Sequence, residues 1–198
     1  MERTQRYTAR VLIVGTGAGG ATAAAVLARA GVDTLLIEQG RFYGPADHGD
    51  ILTGMRQLYL HGGMTLVLGN PPILVPLGCA VGGTTIINSS TCFRPPREKV
   101  ERWEGPSWEA LEPCLGEVET RLHVAPVDES LLGGNYRILK RGCDALGVPI
   151  QPLLHNLDGC EGSGRCAFGC PTGAKQSMDR TFIPDALAAG ARLCTEHR

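Results

Sequence analysis

Charge of one sign is missing from this sequence. Nineteen Lys and Arg stand against 20 Asp and Glu, a formal net charge of −1 over 198 residues. There is therefore no electrostatic case for nucleic acid or an anionic membrane surface as partner. An apolar leader is missing too. Met1 to Arg10 is polar and runs straight into the first apolar run, without a signal-peptide core, which points to a cytoplasmic protein. Between Arg56 and Arg94 there is no Asp, Glu, Lys or Arg, and only His61 can carry charge near neutral pH. That window is not a membrane span, because a span needs about 20 mostly apolar residues in regular helix. Gly62, Gly63, Gly69, Pro71, Pro72, Pro76, Gly78, Gly82 and Gly83 break it throughout. It reads instead as backbone buried beside a large neutral ligand. No transmembrane segment, internal repeat or low-complexity tail is visible. The apolar fraction of 43% is that of an ordinary globular chain, and the length allows one domain or one and a half.

What is present is sharpest at residues 11 to 38. Val11-Leu-Ile-Val14 reads as a buried strand and runs into Gly15-x-Gly17-x-x-Gly20, which opens an alanine-rich helix ending near Gly31. A second strand, Thr34-Leu-Leu-Ile, ends at Glu38. The distance from Gly20 to Glu38 fits the roughly 20 residues expected before the ribose-binding acid of a dinucleotide fold. Gly15 permits the tight turn, Gly17 lets backbone approach a pyrophosphate, and Gly20 lets helix and strand pack closely. The helix N-terminus offers free N–H groups and positive dipole to phosphate. Thr16, Ala18 and Gln39 flank these positions and join the candidate cofactor-binding set. An acid at position 38 disfavours a 2′-phosphate, so FAD or NAD fits better than NADP.

Farther along, residues 41 to 106 read as mostly irregular, with a short helix near Ile51 to Tyr59. Ser107 caps a helix from about Trp108 to Leu122, its first half limited by Pro113. Ile138, Leu139, Cys143 and Leu146 fall at helical spacing, so a helix runs from about Asn135 to Leu146 and stops at Gly147. Residues 156 to 173 form a loop rich in Gly and Cys. Pro184 starts a short helix to Ala189, and a strand follows from Ala191. Only three strands are legible, whereas a doubly wound sheet needs several. The expected fold is α/β: a Rossmann-like, doubly wound nucleotide-binding fold with long irregular insertions, incomplete at its C-terminal end. The chain is expected to be a truncated product, a piece of a larger protein, or a module completed by a second chain.

A second motif carries the family signal. Gly82-Gly83-Thr84-Thr85-Ile86-Ile87-Asn88, with Thr91 and Arg94-Pro95 after it, resembles the flavin loop of the glucose–methanol–choline (GMC) oxidoreductases, which are FAD enzymes that oxidise alcohols. The resemblance extends through Trp103 to Val124 and through Gly169-Cys-Pro-Thr-Gly-Ala-Lys175. It is nearest the branch of long-chain alcohol oxidases and bacterial FAD dehydrogenases. It implies that Gly82, Gly83, Thr84, Asn88 and Thr91 lie against FAD, facing the Gly15–Glu38 turn across one crevice. It also implies a domain plan: a polar arm over 1–10, then the N-terminal part of a GMC-type FAD-binding domain over 11–198. Within that part, 11–40 is the βαβ motif, 41–106 flavin-covering loops, 107–150 a helical insertion and 156–175 the Cys/Gly loop. The family's catalytic base is a His paired with a second His or an Asn, in the C-terminal portion of its members. None of His48, His61, His123, His155 and His197 matches it, so no catalytic residue is assigned.

Eight cysteines are many for such a chain. Cys160, Cys166 and Cys170 lie in one glycine-rich loop and have three readings. Some bacterial sugar dehydrogenases of the resembling family hold a [3Fe–4S] cluster on three cysteines at this spacing, and thiolates suit soft iron. A structural zinc with His155 as fourth ligand is the second, with atypical spacing. Free or locally paired thiols are the third. Two other functions stay open beside alcohol oxidation. An NAD-linked dehydrogenase shares the βαβ motif but does not account for Gly82 to Arg94. A non-catalytic electron-transfer or assembly subunit would use the Cys loop and a partner chain.

Overall fold

The computed structural model describes residues 6–197; residues 1–5 of the expected N-terminal arm, and residue 198, lie outside the described residues. Strand β1 (Val11–Val14), helix α1 (Ala18–Arg29) and strand β2 (Thr34–Ile37) form the expected βαβ unit. Helix α2 (Ile51–Leu58), the two-residue strands β3 (Leu66–Val67) and β4 (Ile73–Leu74), and the single turn α3 (Arg97–Val100) give the irregular region more structure than its sequence suggests. Then come α4 (Trp108–Arg121), β5 (Val124–Pro126), α5 (Gly134–Leu146), β6 (Leu154–Asn156), α6 (Phe182–Ala188) and β7 (Arg192–Cys194). Among the described residues no helix is long and apolar enough to cross a membrane.

The main sheet is parallel, in the order β1-β2-β7. Val11 pairs with Thr34 and Val14 with Ile37 on one side, and Ile37 pairs with Cys194 on the other. Thr34, Leu35 and Leu36 are buried because β2 is the central strand. β1 buries only every second residue more deeply, as an edge strand does. The core lies between α1 and α6. Ala21, Ala24, Ala25 and Ala28 form one buried stripe at helical spacing, and their small side chains let Phe182, Ile183 and Ala186 of α6 pack directly on them. Leu36, Val81 and Met178 close that cluster.

Three local readings change. α6 begins at Phe182 rather than Pro184. Proline stands third in the helix, where the missing N–H has no intrahelical acceptor. α4 runs unbroken through Pro113, with Ser107 Oγ accepting the Ala110 N–H at 3.3 Å. The helix is exposed there, so water can serve the carbonyl that proline leaves without its usual donor. The antiparallel pair β5–β6 was not legible: Val124 pairs with Asn156 and Pro126 with Leu154. Strands of three residues are too short to show a period of two.

Candidate functional site

β1 and β2 end side by side, and the chain leaves both into one crevice. Gly15 turns at φ +90°, a conformation L side chains rarely adopt. Its N–H donates to Ile37 O at 2.8 Å, tying the turn to the end of β2. Gly20 faces back onto that turn: a Cβ there would sit 2.1 Å from Gly15 O. Helix–strand contact therefore requires Gly20 to be glycine. Gly17 is different. It caps α1 without a side-chain bond, and a Cβ built on it meets nothing within 4 Å. The first intrahelical bond of the turn is Ala21 N–H to Gly17 O, so the amides of Ala18, Gly19 and Gly20 precede it. These amides carry the positive end of the helix dipole beside open space.

The second motif folds onto the first. Gly82 turns at φ +102° and leads into a short 3-10 turn, Gly83–Ile86. The Gly82 N–H donates to Thr16 Oγ1 at 2.9 Å. A Cβ on Gly83 would lie 2.9 Å from Gly17 Cα, so the two glycine backbones touch. Gly40 brings the loop in from its other flank, packed so closely on Cys79 and Ala80 that a Cβ would fall 2.3 Å from Ala80 N. Gly15, Thr16, Gly17, Glu38, Gln39, Gly83 and Thr84 consequently line one crevice of about 510 Å³, with Val14 and Ile37 also in its lining. Its position, at the carboxyl ends of adjacent parallel strands, is where open α/β sheets take ligands.

Thr16 and Glu38 hold this arrangement. Both are buried. Glu38 Oε2 accepts from Thr16 N at 2.9 Å and from Thr16 Oγ1 at 2.7 Å, and Oε1 accepts from Gly40 N at 2.9 Å. The acid at the end of β2 thus fastens the glycine turn, and through Thr16 it fastens Gly82. Ala18 opens α1, and Gly82 lies behind the crevice wall.

Asn88 and Thr91 do not line the crevice. Asn88 is exposed, and its Oδ1 accepts the Ser90 N–H at 3.1 Å. Thr91 forms a β-bridge with His155. Arg94 of the Arg-Pro pair grips Glu119 on α4 through Nε at 2.7 Å and Nη2 at 2.6 Å. His197 is a crevice residue that sequence reasoning missed. Its N–H donates to Glu38 O at 3.0 Å, and its signal was its place just beyond the third parallel strand.

All eight cysteines are free thiols. The structure does not gather Cys160, Cys166 and Cys170: among the described residues no three His, Cys, Asp or Glu side chains converge as a metal site. Cys160 Sγ accepts from Gly162 N at 3.4 Å, Cys166 Sγ from Ser90 Oγ at 3.6 Å, and Cys170 Sγ lies 3.4 Å from Thr172 Oγ1. Each thiol has its own partner, so the expected iron–sulfur cluster finds no preformed ligand set among the described residues. Burial pushes the Cys170 thiol up. The Thr172 hydroxyl and the amides of Lys175, Thr172 and Ala174 outweigh this and hold it below the usual thiol range. His155, 3.0 Å from Ser90 Oγ, is pushed below the ordinary imidazole value by burial, so it is neutral at pH 7.

A GMC oxidoreductase family model matches residues 55–198, and an FAD-binding-domain model matches residues 8–53. The chain belongs to the GMC oxidoreductase family. An uncharacterized GMC-type oxidoreductase of Mycobacterium tuberculosis is 39% identical over 193 residues, which are 93% of this chain and 31% of that protein. The long-chain-alcohol oxidase FAO3 of Arabidopsis thaliana is 31% identical over 200 residues, 96% of this chain and 26% of that protein. Among solved structures, a fungal aryl-alcohol oxidase superposes with a TM-score of 0.62 at 18% identity, covering 98% of this chain and 40% of that one. A formate oxidase of Aspergillus oryzae gives 0.61 at 15%, covering 95% and 38%. The structural likeness shows a shared fold. This GMC chain spans only about a quarter to two fifths of the length of these relatives.

Proposed function

We propose that this chain forms the FAD-binding portion of a flavin-dependent oxidoreductase acting on the CH–OH group of alcohols. One observation carries the reading: Gly82–Thr84 and the Gly15–Gly20 turn, far apart in sequence, line or back one crevice and touch through Gly17 and Gly83. The residues fit the cofactor. Gly17 leaves open the space a Cβ would fill, and the amides of Ala18 and Gly19 face a diphosphate with the positive end of α1. Glu38 Oε1 accepts one bond and keeps acceptor capacity for a ribose hydroxyl. Gln39 and Thr84 add polar groups along the wall. Bound FAD supplies a hydride acceptor at flavin N5. The chain's own part is to hold and orient that group. The alcohol class rests on the long-chain-alcohol oxidase relative.

Titration of the purified chain with FAD, followed by quenching of flavin fluorescence, tests the reading. Saturable binding with a shifted flavin spectrum is expected. A chain that leaves FAD free at millimolar concentration refutes it. In a full-length protein containing this segment, a primary alcohol should bleach the bound flavin under anaerobic conditions.

A further inference from the structure

Lys175 is 2% exposed and lies behind the flavin loop. Its ammonium Nζ donates to Ile86 O at 2.6 Å, to Asn88 O at 2.8 Å and to Cys166 O at 2.8 Å. An ammonium has three donors, and all three are used on backbone carbonyls. Two of those carbonyls belong to the segment whose head, Gly82–Gly83, rests on Thr16 and Gly17. The third belongs to the turn Cys166–Phe168. The same stretch of chain braces the loop elsewhere: Met178 N–H donates to Thr85 Oγ1 at 3.1 Å. Lys175 is itself held in place, since Leu157 bridges to it, Asp158 N–H donates to Ala174 O at 2.8 Å and Gln176 N–H donates to Asn156 O at 2.9 Å.

Burying a cation opposes folding, and loop carbonyls left exposed would be served by water at no such cost. A lysine kept there despite the cost points to a loop whose exact placement matters. Burial lowers the group to about 8, against the opposing pull of Cys166, Asp179 and Cys170, so the ammonium predominates at pH 7.

We propose that Lys175 is a positioning residue for the cofactor: one ammonium fixes the carbonyls of Ile86 and Asn88 against the Cys166 turn and so holds Gly83 and Thr84 at the crevice wall. This rests on the FAD reading above. It assigns Lys175 no contact with FAD.

The test is FAD affinity of the 198-residue chain at pH 7. Lys175→Ala and Lys175→Met should each weaken FAD by at least about tenfold, the loss of one charge-assisted hydrogen bond or more. Propylammonium ion should restore most of the affinity of Lys175→Ala by filling the vacated channel, and 1-propanol should not. Affinity in both variants within threefold of wild type overturns the proposal, as does equal rescue by the alcohol. A wild-type chain that binds no FAD overturns the FAD reading instead, and the proposal falls with it. If the variants do not fold, the wild-type chain decides. Lys175 is one of three lysines, so its Nζ signal is assignable after lysine labelling with nitrogen-15. A shift of that signal on FAD saturation supports the coupling, and an unmoved signal overturns it.

Discussion

Replacing Gly17 with alanine should leave the fold intact and weaken FAD. Gly17 has φ −66° and ψ −172°, an extended conformation open to any residue. An added Cβ meets no atom within 4 Å. The position caps α1 without a side-chain bond, so alanine loses roughly 0.5–1 kcal/mol relative to glycine at this cap. For a chain of this size that moves the melting temperature by about 1–4 °C. The methyl group would stand over the amides of Ala18 and Gly19, where a diphosphate has to approach. Losing one hydrogen bond to a charged group costs about 1.5–3 kcal/mol, or roughly 10- to 150-fold in affinity. The assay pairs thermal melting without FAD and fluorescence titration with it. An FAD affinity within threefold of wild type would refute the reasoning. So would a loss of cofactor-free stability as large as that of a glycine required by packing.

Gly20→Ala supplies that comparison: its Cβ would fall 2.1 Å from Gly15 O and 3.2 Å from Ile13 Cγ2, an overpacking worth about 1–3 kcal/mol or more, visible in the melting temperature without cofactor. Glu38→Gln presents an amide NH₂ to donors that now meet a carboxylate, from Thr16 and Gly40, and should lose about 2–3 kcal/mol in denaturant unfolding even without FAD. Asp185 accepts from Arg121 Nε at 2.7 Å and Nη2 at 2.8 Å, and from Arg29 at 2.7 Å. The Arg121 guanidinium, with Arg29 behind it, holds the Asp185 carboxyl below the usual carboxylate range. A depressed carboxyl stabilises the fold above its unfolded value near pH 3.9 and loses that contribution as pH falls through the lower folded value. Asp185→Asn should therefore melt below wild type at pH 7, with the two curves converging in acid. A gap that stays constant down to the acid limit would show that the pair contributes nothing through charge.

The βαβ unit was legible because everything that makes it is local: an apolar run, a glycine turn, an alanine stripe at 3.6 spacing, a second apolar run. The flavin loop was legible as a motif, and its contact with the turn as an expectation from the family. How the contact is made was not. Thr16 occupies a position where the GxGxxG pattern allows any residue, yet its hydroxyl is the hinge between Glu38 and Gly82. Lys175 read as one more residue of a Cys/Gly loop, because a lysine is rarely buried and nothing in its neighbours marks the carbonyls it meets. The β5–β6 pair joins segments whose separation exceeds any window a period can be read in.

Glu38 is the instructive case. Its position at the end of β2 marks it as a ribose acceptor, and the structure has it buried and bonded to the protein itself. The two uses are compatible. A carboxylate offers about four lone-pair directions, and three are taken. The three protein donors fix the plane of the group before any ligand arrives, so the remaining direction on Oε1 is oriented in advance. Ordering the acid on binding would otherwise cost side-chain entropy. On the proposed FAD reading, the residue that would accept from the ribose and the residue that ties the glycine turn to Gly82 are one, and a substitution there should lower stability and FAD affinity together. Gly17→Ala and Gly20→Ala should instead separate the two quantities.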